Sequence, residues 1–158
     1  MTHRVLDRLS FGDESACTAD GSGRVAVVHA CKDPCHRRAV GYTTKTIPSS
    51  HENYLVLEDG FHLYLNLIDP PAPLFMMPSF AAFMAFVDKH RPHREVLIHC
   101  NQGESRAPSL ALLYLAKRTT EIPADSYASA AAAFSLKFSY KPGQGIQTWL
   151  TRNWAAIN

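Results

Sequence analysis

The chain reads as short apolar runs set between turn-forming clusters, in two different periods. "RVAVVHAC" (Arg24–Cys31) is β-branched, follows "DGSG", and predicts a buried strand. "FHLYLNLID" (Phe61–Asp69) alternates apolar and polar positions after the turn signal "EDG". It predicts a second strand, ending where "DPPAP" removes the donors a ladder needs. "EVLIHC" (Glu95–Cys100) predicts a third, buried strand. Helical periodicity marks "SFAAFMAFVDKH" (Ser79–His90), with Ser79 as its cap after Pro78. It also marks "APSLALLYLAKR" (Ala107–Arg118), apolar on nearly every face, with Pro108 in the first turn and Lys117 and Arg118 in the last. The alanine-rich "PADSYASAAAAFSLKF" predicts another helix, and "PGQGIQTWLTRNW" a turn and a closing helix. Strands alternating with helices predict an α/β protein: one domain over residues 1–158, with a central, mostly parallel sheet flanked by helices. The first 60 residues carry less pattern.

Composition narrows the partners. A length of 158 residues suits one domain, and 46% hydrophobic against 19% charged residues excludes a disordered chain. A net charge of +2 provides no bulk attraction to nucleic acid or membrane. No run is long enough to span a bilayer, and "MTHRVLDRLSFGDES" lacks the apolar segment of a signal peptide. A cytoplasmic protein with neither nucleic acid nor membrane as partner is expected, its four cysteines reduced. In "HACKDPCHRR", Cys31 and Cys35 stand between His29 and His36, a composition that also suits a metal. The C-x3-C spacing is loose, Pro34 interrupts it, and no second pair follows. Small residues at a strand end are the preferred reading, and no metal is expected.

The candidate chemistry lies in "VLIHCNQGESRAPS" (Val96–Ser109): a strand, a loop over Cys100–Ser105, and a helix from about Arg106. Such a junction turns backbone N–H groups into the loop, and the helix adds the positive end of its dipole. The pocket suits a tetrahedral oxyanion and favours a thiolate at its base. Arg106 supplies a planar fork for two oxygens, which lysine lacks. Nucleophile, donor nest and planar cation together describe phosphoryl transfer through a cysteinyl-phosphate. Asp69, at the end of the second strand, reaches the same sheet edge if the strands are parallel. It would protonate the leaving group and then activate water, under a stiff "PPAP" flap. Taken singly, a strand-end cysteine is ordinary core, and an Asp before Pro is an ordinary turn former. Their conjunction carries the reading.

"HCNQGESR" resembles the H-C-x-x-G-x-x-R loop of the protein tyrosine phosphatase superfamily. The remove to Asp69 resembles the compact dual-specificity branch, as does "FSLKFSYKPGQGI" before the last helix; the likeness spans roughly residues 61–150. The resemblance implies that family's fold, no metal or other cofactor, and a two-step hydrolysis. Cys100 would be nucleophile, Arg106 phosphate clamp and Asp69 general acid. Asn101, Gln102, Gly103, Glu104 and Ser105 would bind phosphate together with Arg106, and His99 would orient the loop. The implied substrate is a phosphorylated protein or peptide, phosphotyrosine foremost.

Two positions depart from the pattern. Where the family usually has a serine or threonine after the arginine, which stabilises the departing thiolate, this chain has Ala107, so dephosphorylation of the intermediate should be slow. Ser105 and Ser109 are the available substitutes. Glu104 disfavours polyphosphorylated lipids and RNA triphosphate ends by like-charge repulsion, of order 1 kcal/mol per close contact. Of the basic stretches, "DKHRPHRE" should lie on the far side of the sheet, whereas "CKDPCHRRAVGYTTK" could reach the mouth. Tyr42, Tyr54 and Phe75 are expected in core or flap packing. Cys17, Cys31 or Cys35 could protect Cys100 as a disulfide. The competing functions are a module that captures phosphorylated partners without turnover, and a rhodanese-like sulfurtransferase. In the latter, Asp69 and the C-x5-R spacing have no role; arsenate reductases place their cysteine near the N-terminus.

Overall fold

Six strands make one mixed sheet in the order β1-β2-β6-β3-β5-β4 in the computed structural model, which describes residues 1–18 and 23–158. The strands are β1 (Thr2–Leu6), β2 (Leu9–Gly12), β3 (Val25–His29), β4 (Val56–Asp59), β5 (His62–Leu65) and β6 (Glu95–His99). The interior pairings β2–β6, β6–β3 and β3–β5 are parallel, while hairpin partners β1 and β4 close the two edges antiparallel. The helices are α1 (Arg37–Val40), α2 (Met77–His90), α3 (Arg106–Arg118), α4 (Tyr127–Ser135) and α5 (Gln144–Asn153). Most of the "DGSG" turn lies outside the described residues.

Period-two alternation divides the interior strands between two faces. Ala26 and Val28 of β3, Leu63 and Leu65 of β5, and Val96 and Ile98 of β6 join the main core with Phe80, Phe83, Leu110, Leu112 and Trp149 from the helices. Phe80 stacks on Trp149 at 4.2 Å between ring centroids, tying α2 to α5. The other face carries His29, His62, Tyr64 and His99, near the short turns Glu14–Thr18 and Lys32–His36. The sheet is therefore thick and apolar on one side, thin and polar on the other.

Helix starts differ from the expected ones for local reasons. α2 begins at Met77, because Pro78 is preorganised for a first turn and needs no amide partner there. Ser79 is thus inside the helix rather than capping it; its hydroxyl is buried with no partner among the described residues. α4 is shorter than its alanine-rich stretch and is capped by Ser126, whose Oγ accepts from the Ser129 amide at 3.1 Å. The ladder of β5 ends at Leu65, four residues before Asp69, which leaves Asp69 on an extended loop. No helix among the described residues is long and apolar enough to cross a membrane.

Candidate active site

Parallel pairing of β3, β5 and β6 brings the loops after all three strands to one edge of the sheet. There, Asp69, Cys100, Asn101, Gln102, Glu104, Ser105, Arg106 and Lys141 line a cleft of about 240 Å³. The expected site residues are thereby brought together; Gly103 lines the adjoining hollow, with its amide directed at Cys100. The basic stretch from Asp88 to Glu95 precedes β6 and lies at its opposite end, as expected.

The loop is shaped from outside. Asn101 O accepts from the Glu14 amide (3.1 Å) and Glu104 O from the Lys141 amide (2.9 Å), holding both carbonyls by neighbouring segments. The Gly103 amide points to the Cys100 sulfur at 3.2 Å. Gly103 has φ +73°, and a Cβ there would crowd the Gly12–Asp13 backbone, so both conformation and space require glycine. α3 starts directly at the loop's end with no side-chain cap, leaving its first amides for a ligand.

Arg106 is held by two contacts: Nη1 donates to Leu67 O (2.9 Å) and Nη2 to Asn101 Oδ1 (2.8 Å). Its buried Nε has no partner among the described residues. The Asn101 amide group also donates to Asp33 O at 2.9 Å, so this side chain positions the arginine in addition to any role of its backbone. Leu67 O further accepts from the Lys32 amide, which joins the Asp69 loop to the end of β3.

Asp69 rests on Gly143, where a Cβ would overlap its carboxylate, and Gly145 similarly receives the carbonyls of Pro70 and Ala72. The Gly143 amide donates to Ser105 Oγ at 2.9 Å. Lys141, Gly143 and Gly145 are thus site residues that sequence reasoning did not assign. The Gly-x-Gly pair at the start of an amphipathic helix was the available signal. Ser109 Oγ pairs with Tyr140 OH at 2.6 Å, and Tyr140 OH with Tyr127 OH at 2.9 Å. Burial pushes the Tyr140 phenol up, so this chain stays neutral. Ser105 and Ser109 are both engaged in holding the last helix, and Ala107 is fully buried.

Behind the loop, three imidazoles form a row. His62 Nδ1 lies 3.0 Å from His29 Nε2, His29 Nδ1 lies 2.7 Å from His99 Nε2, and His99 Nδ1 lies 3.4 Å from Cys100 O. Cys35 Sγ approaches His99 Nε2 at 3.8 Å. His36 stands apart, bonded to Tyr42 OH and Asn53 O. All four cysteines are free thiols. Cys35 hydrogen-bonds Cys31, which pushes Cys35 up and Cys31 down; burial raises Cys17. Tyr54 and Phe75 line a separate groove of about 240 Å³ with Lys32 and Ser79, and Phe75 packs edge-on against Phe80.

Burial, reinforced by His99 and His62, lowers His29 to about 3. Its unfolded value is near 6.5, so the unfolded chain takes up a proton as pH falls below ~6.5 while the folded one does not. Stability is therefore full above that value and falls on acidification toward the folded value, by roughly 1 kcal/mol per pH unit from this residue. Urea unfolding at pH 7.5, 6.0 and 5.0 should show this loss, with a flatter profile in His29→Gln. Equal slopes in the two proteins would assign the loss elsewhere, His36 being also lowered by burial.

No protein-family model matches the sequence, and no curated protein matches it. Solved structures do. DUSP15 superposes with a TM-score of 0.65 at 18% identity, covering 98% of this chain and 88% of that one. The human tyrosine phosphatase-like serine/threonine/tyrosine-interacting protein gives 0.64 at 18% identity, covering 98% and 96%. The PTP-2 phosphatase of Cydia pomonella gives 0.61 at 22% identity, covering 96% and 89%. At such identities the likeness is one of architecture: the chain has the fold of the protein tyrosine phosphatases in their compact, dual-specificity form.

Proposed function

We propose that the protein is a cysteine-dependent phosphatase that hydrolyses phosphomonoesters on protein, phosphotyrosine foremost, through a cysteinyl-phosphate. The supporting observation is the buried Nε of Arg106, without a partner among the described residues, in the cleft that Cys100, the loop residues and Asp69 also line. A phosphate seated on the loop would take Nε and one Nη as a bidentate pair, with loop and α3 amides on its remaining oxygens. Cys100 Sγ attacks phosphorus; the ester oxygen leaves with a proton from Asp69. Asp69 then removes a proton from the water that displaces the sulfur. Lys141 contributes a positive charge at the rim, partly offsetting Glu104.

Hydrolysis of para-nitrophenyl phosphate, with EDTA present and sensitive to vanadate, tests this reading. Cys100→Ser should abolish it. Asp69→Asn should lower kcat by about 10²–10⁴ on a phosphotyrosine peptide, whose leaving group needs the proton, and by less on para-nitrophenyl phosphate. Activity surviving in Cys100→Ser would refute the mechanism.

Ala107 places no hydroxyl beside the departing sulfur; of the two nearby serines, Ser109 pairs with Tyr140, and Ser105 Oγ accepts from the Gly143 amide. Breakdown of the phosphoenzyme should then limit turnover. Rapid mixing at saturating substrate should give a burst of nitrophenol followed by a slower steady state; a linear trace would show that the second step is fast. The same feature favours the second reading, a module that captures phosphorylated partners with little turnover.

Glu104 lines the cleft beside the loop. Glu104→Lys should lower KM for substrates bearing a second phosphate by about tenfold, with a smaller change for a singly phosphorylated peptide. Equal changes for both substrates would mean that Glu104 does not select against polyanions.

A further inference from the structure

The row of imidazoles has a feature that phosphate hydrolysis does not use. One ring nitrogen each of His29 and His99 and the Cys35 sulfur all lie within 4.8 Å of one another, and the three residues are buried; His29 Nδ1 and Cys35 Sγ both face His99 Nε2. They converge from three places: β3, β6 and the turn after β3. Beside them is a cavity of about 140 Å³, lined by Cys17, His29, Cys35, Arg38, Ala39 and Tyr64. Its rim residue Cys17 is half-buried, so the cavity joins the cluster to a second thiol nearer the surface.

We propose that His29 Nδ1, His99 Nε2 and Cys35 Sγ hold one borderline-soft divalent cation of the Zn²⁺ class, and that Cys17 Sγ, which lines the adjoining cavity outside that cluster, moves in to complete a tetrahedron. The donor set is two imidazoles and two thiolates, the composition that holds structural zinc. With Zn–N about 2.0 Å and Zn–S about 2.3 Å, ligand atoms in a tetrahedron lie roughly 3.3–3.8 Å apart. The Cys35–His99 distance of 3.8 Å already meets this, and the His29–His99 distance of 2.7 Å needs only a slight parting of two rings.

Proton accounting is consistent. With its proton on Nδ1, facing Cys100 O, His99 directs the Nε2 lone pair at the cluster. His29 shifts its proton from Nδ1 to Nε2 and donates it to His62 Nδ1. His62 then carries its own proton on Nε2. His62 is thus the outer partner that fixes the tautomer of a metal-binding histidine. Both thiols release their protons to solvent, so the dication and two thiolates form a neutral centre. That neutrality matters beside Arg38, which lines the same cavity. Cys100 belongs to the opposite, helix-covered face of the sheet and takes no part. The cation would act structurally: it holds the ring that faces the Cys100 carbonyl, where the phosphate-binding loop begins.

Co²⁺ titration of the full chain, reduced with a phosphine, reports the site directly. A single equivalent should bind with a thiolate-to-cobalt charge-transfer band and the strong visible bands of tetrahedral cobalt, and Zn²⁺ should displace it. The spectrum should persist in Cys100→Ser. Its charge-transfer band should weaken in both Cys35→Ser and Cys17→Ser, each of which removes one of the two thiolates. Weak octahedral bands without charge transfer, or dependence on Cys100 rather than Cys35, would overturn the proposal. If Cys35→Ser does not fold, Cys17→Ser decides, because an unchanged spectrum in that variant removes the fourth ligand and the neutral centre with it.

Discussion

The carbonyl of Leu67 is the point on which the site's assembly depends. Its two lone pairs accept from the Lys32 amide and from Arg106 Nη1, each at 2.9 Å. One oxygen therefore joins the segment leaving β3, the loop that carries Asp69, and the guanidinium at the head of α3. This is possible because β3, β5 and β6 are parallel and end at the same edge. An antiparallel β5 would deliver Asp69 to the opposite edge, and no local adjustment of the "DPPAP" loop could recover it. The antiparallel strands are instead confined to the two outer positions, where they close the sheet without reversing any strand that delivers a site residue.

What was legible in the sequence was what is contiguous. Cys100 to Arg106 form one loop, so their spacing alone predicts a donor nest with a nucleophile and a planar cation. Asp69 was legible because a strand pattern stops at prolines just after it. Lys141 and Gly143 were not, since their relation to Asp69 depends on how the last helix docks. That docking rests on the Ser105–Gly143 and Ser109–Tyr140 contacts between segments more than 30 residues apart. β1, β2 and β4 escaped for another reason. They are four or five residues long, and the outer strands β1 and β4 are largely solvent-facing, so no clean alternation develops.

The histidines show the same limit from the opposite side. Local spacing in "HACKDPCHRR" pairs His29 with His36 and Cys31 with Cys35. The fold instead places His36 against Tyr42 and Asn53, and sets His29 directly opposite His99 in the β3–β6 register. A cross-strand neighbour 70 residues away is invisible to any motif, yet parallel register makes it adjacent on the same face. Tyr64, opposite His29 on its other side, stacks on that ring at 4.4 Å and 10°. The row thus extends across three strands.

Consecutive residues at the end of β6 therefore serve two environments. The pleat turns His99 to the thin, polar face and Cys100 toward the helix-covered core, so the two side chains never compete for space. The next carbonyl, that of Cys100 at its peptide bond to Asn101, nevertheless faces His99 Nδ1 at 3.4 Å. That carbonyl is the first of the loop, and the amide of Cys100 donates back to Gly12 O on β2. A change in where the His99 ring sits bears on this carbonyl, because the strand behind it is fixed by parallel partners on both sides. The polar row thus bears on the loop of residues 100–105 at two points, the Cys100 carbonyl and the Asn101 side chain that donates to Asp33 O, although the sheet keeps the two environments apart.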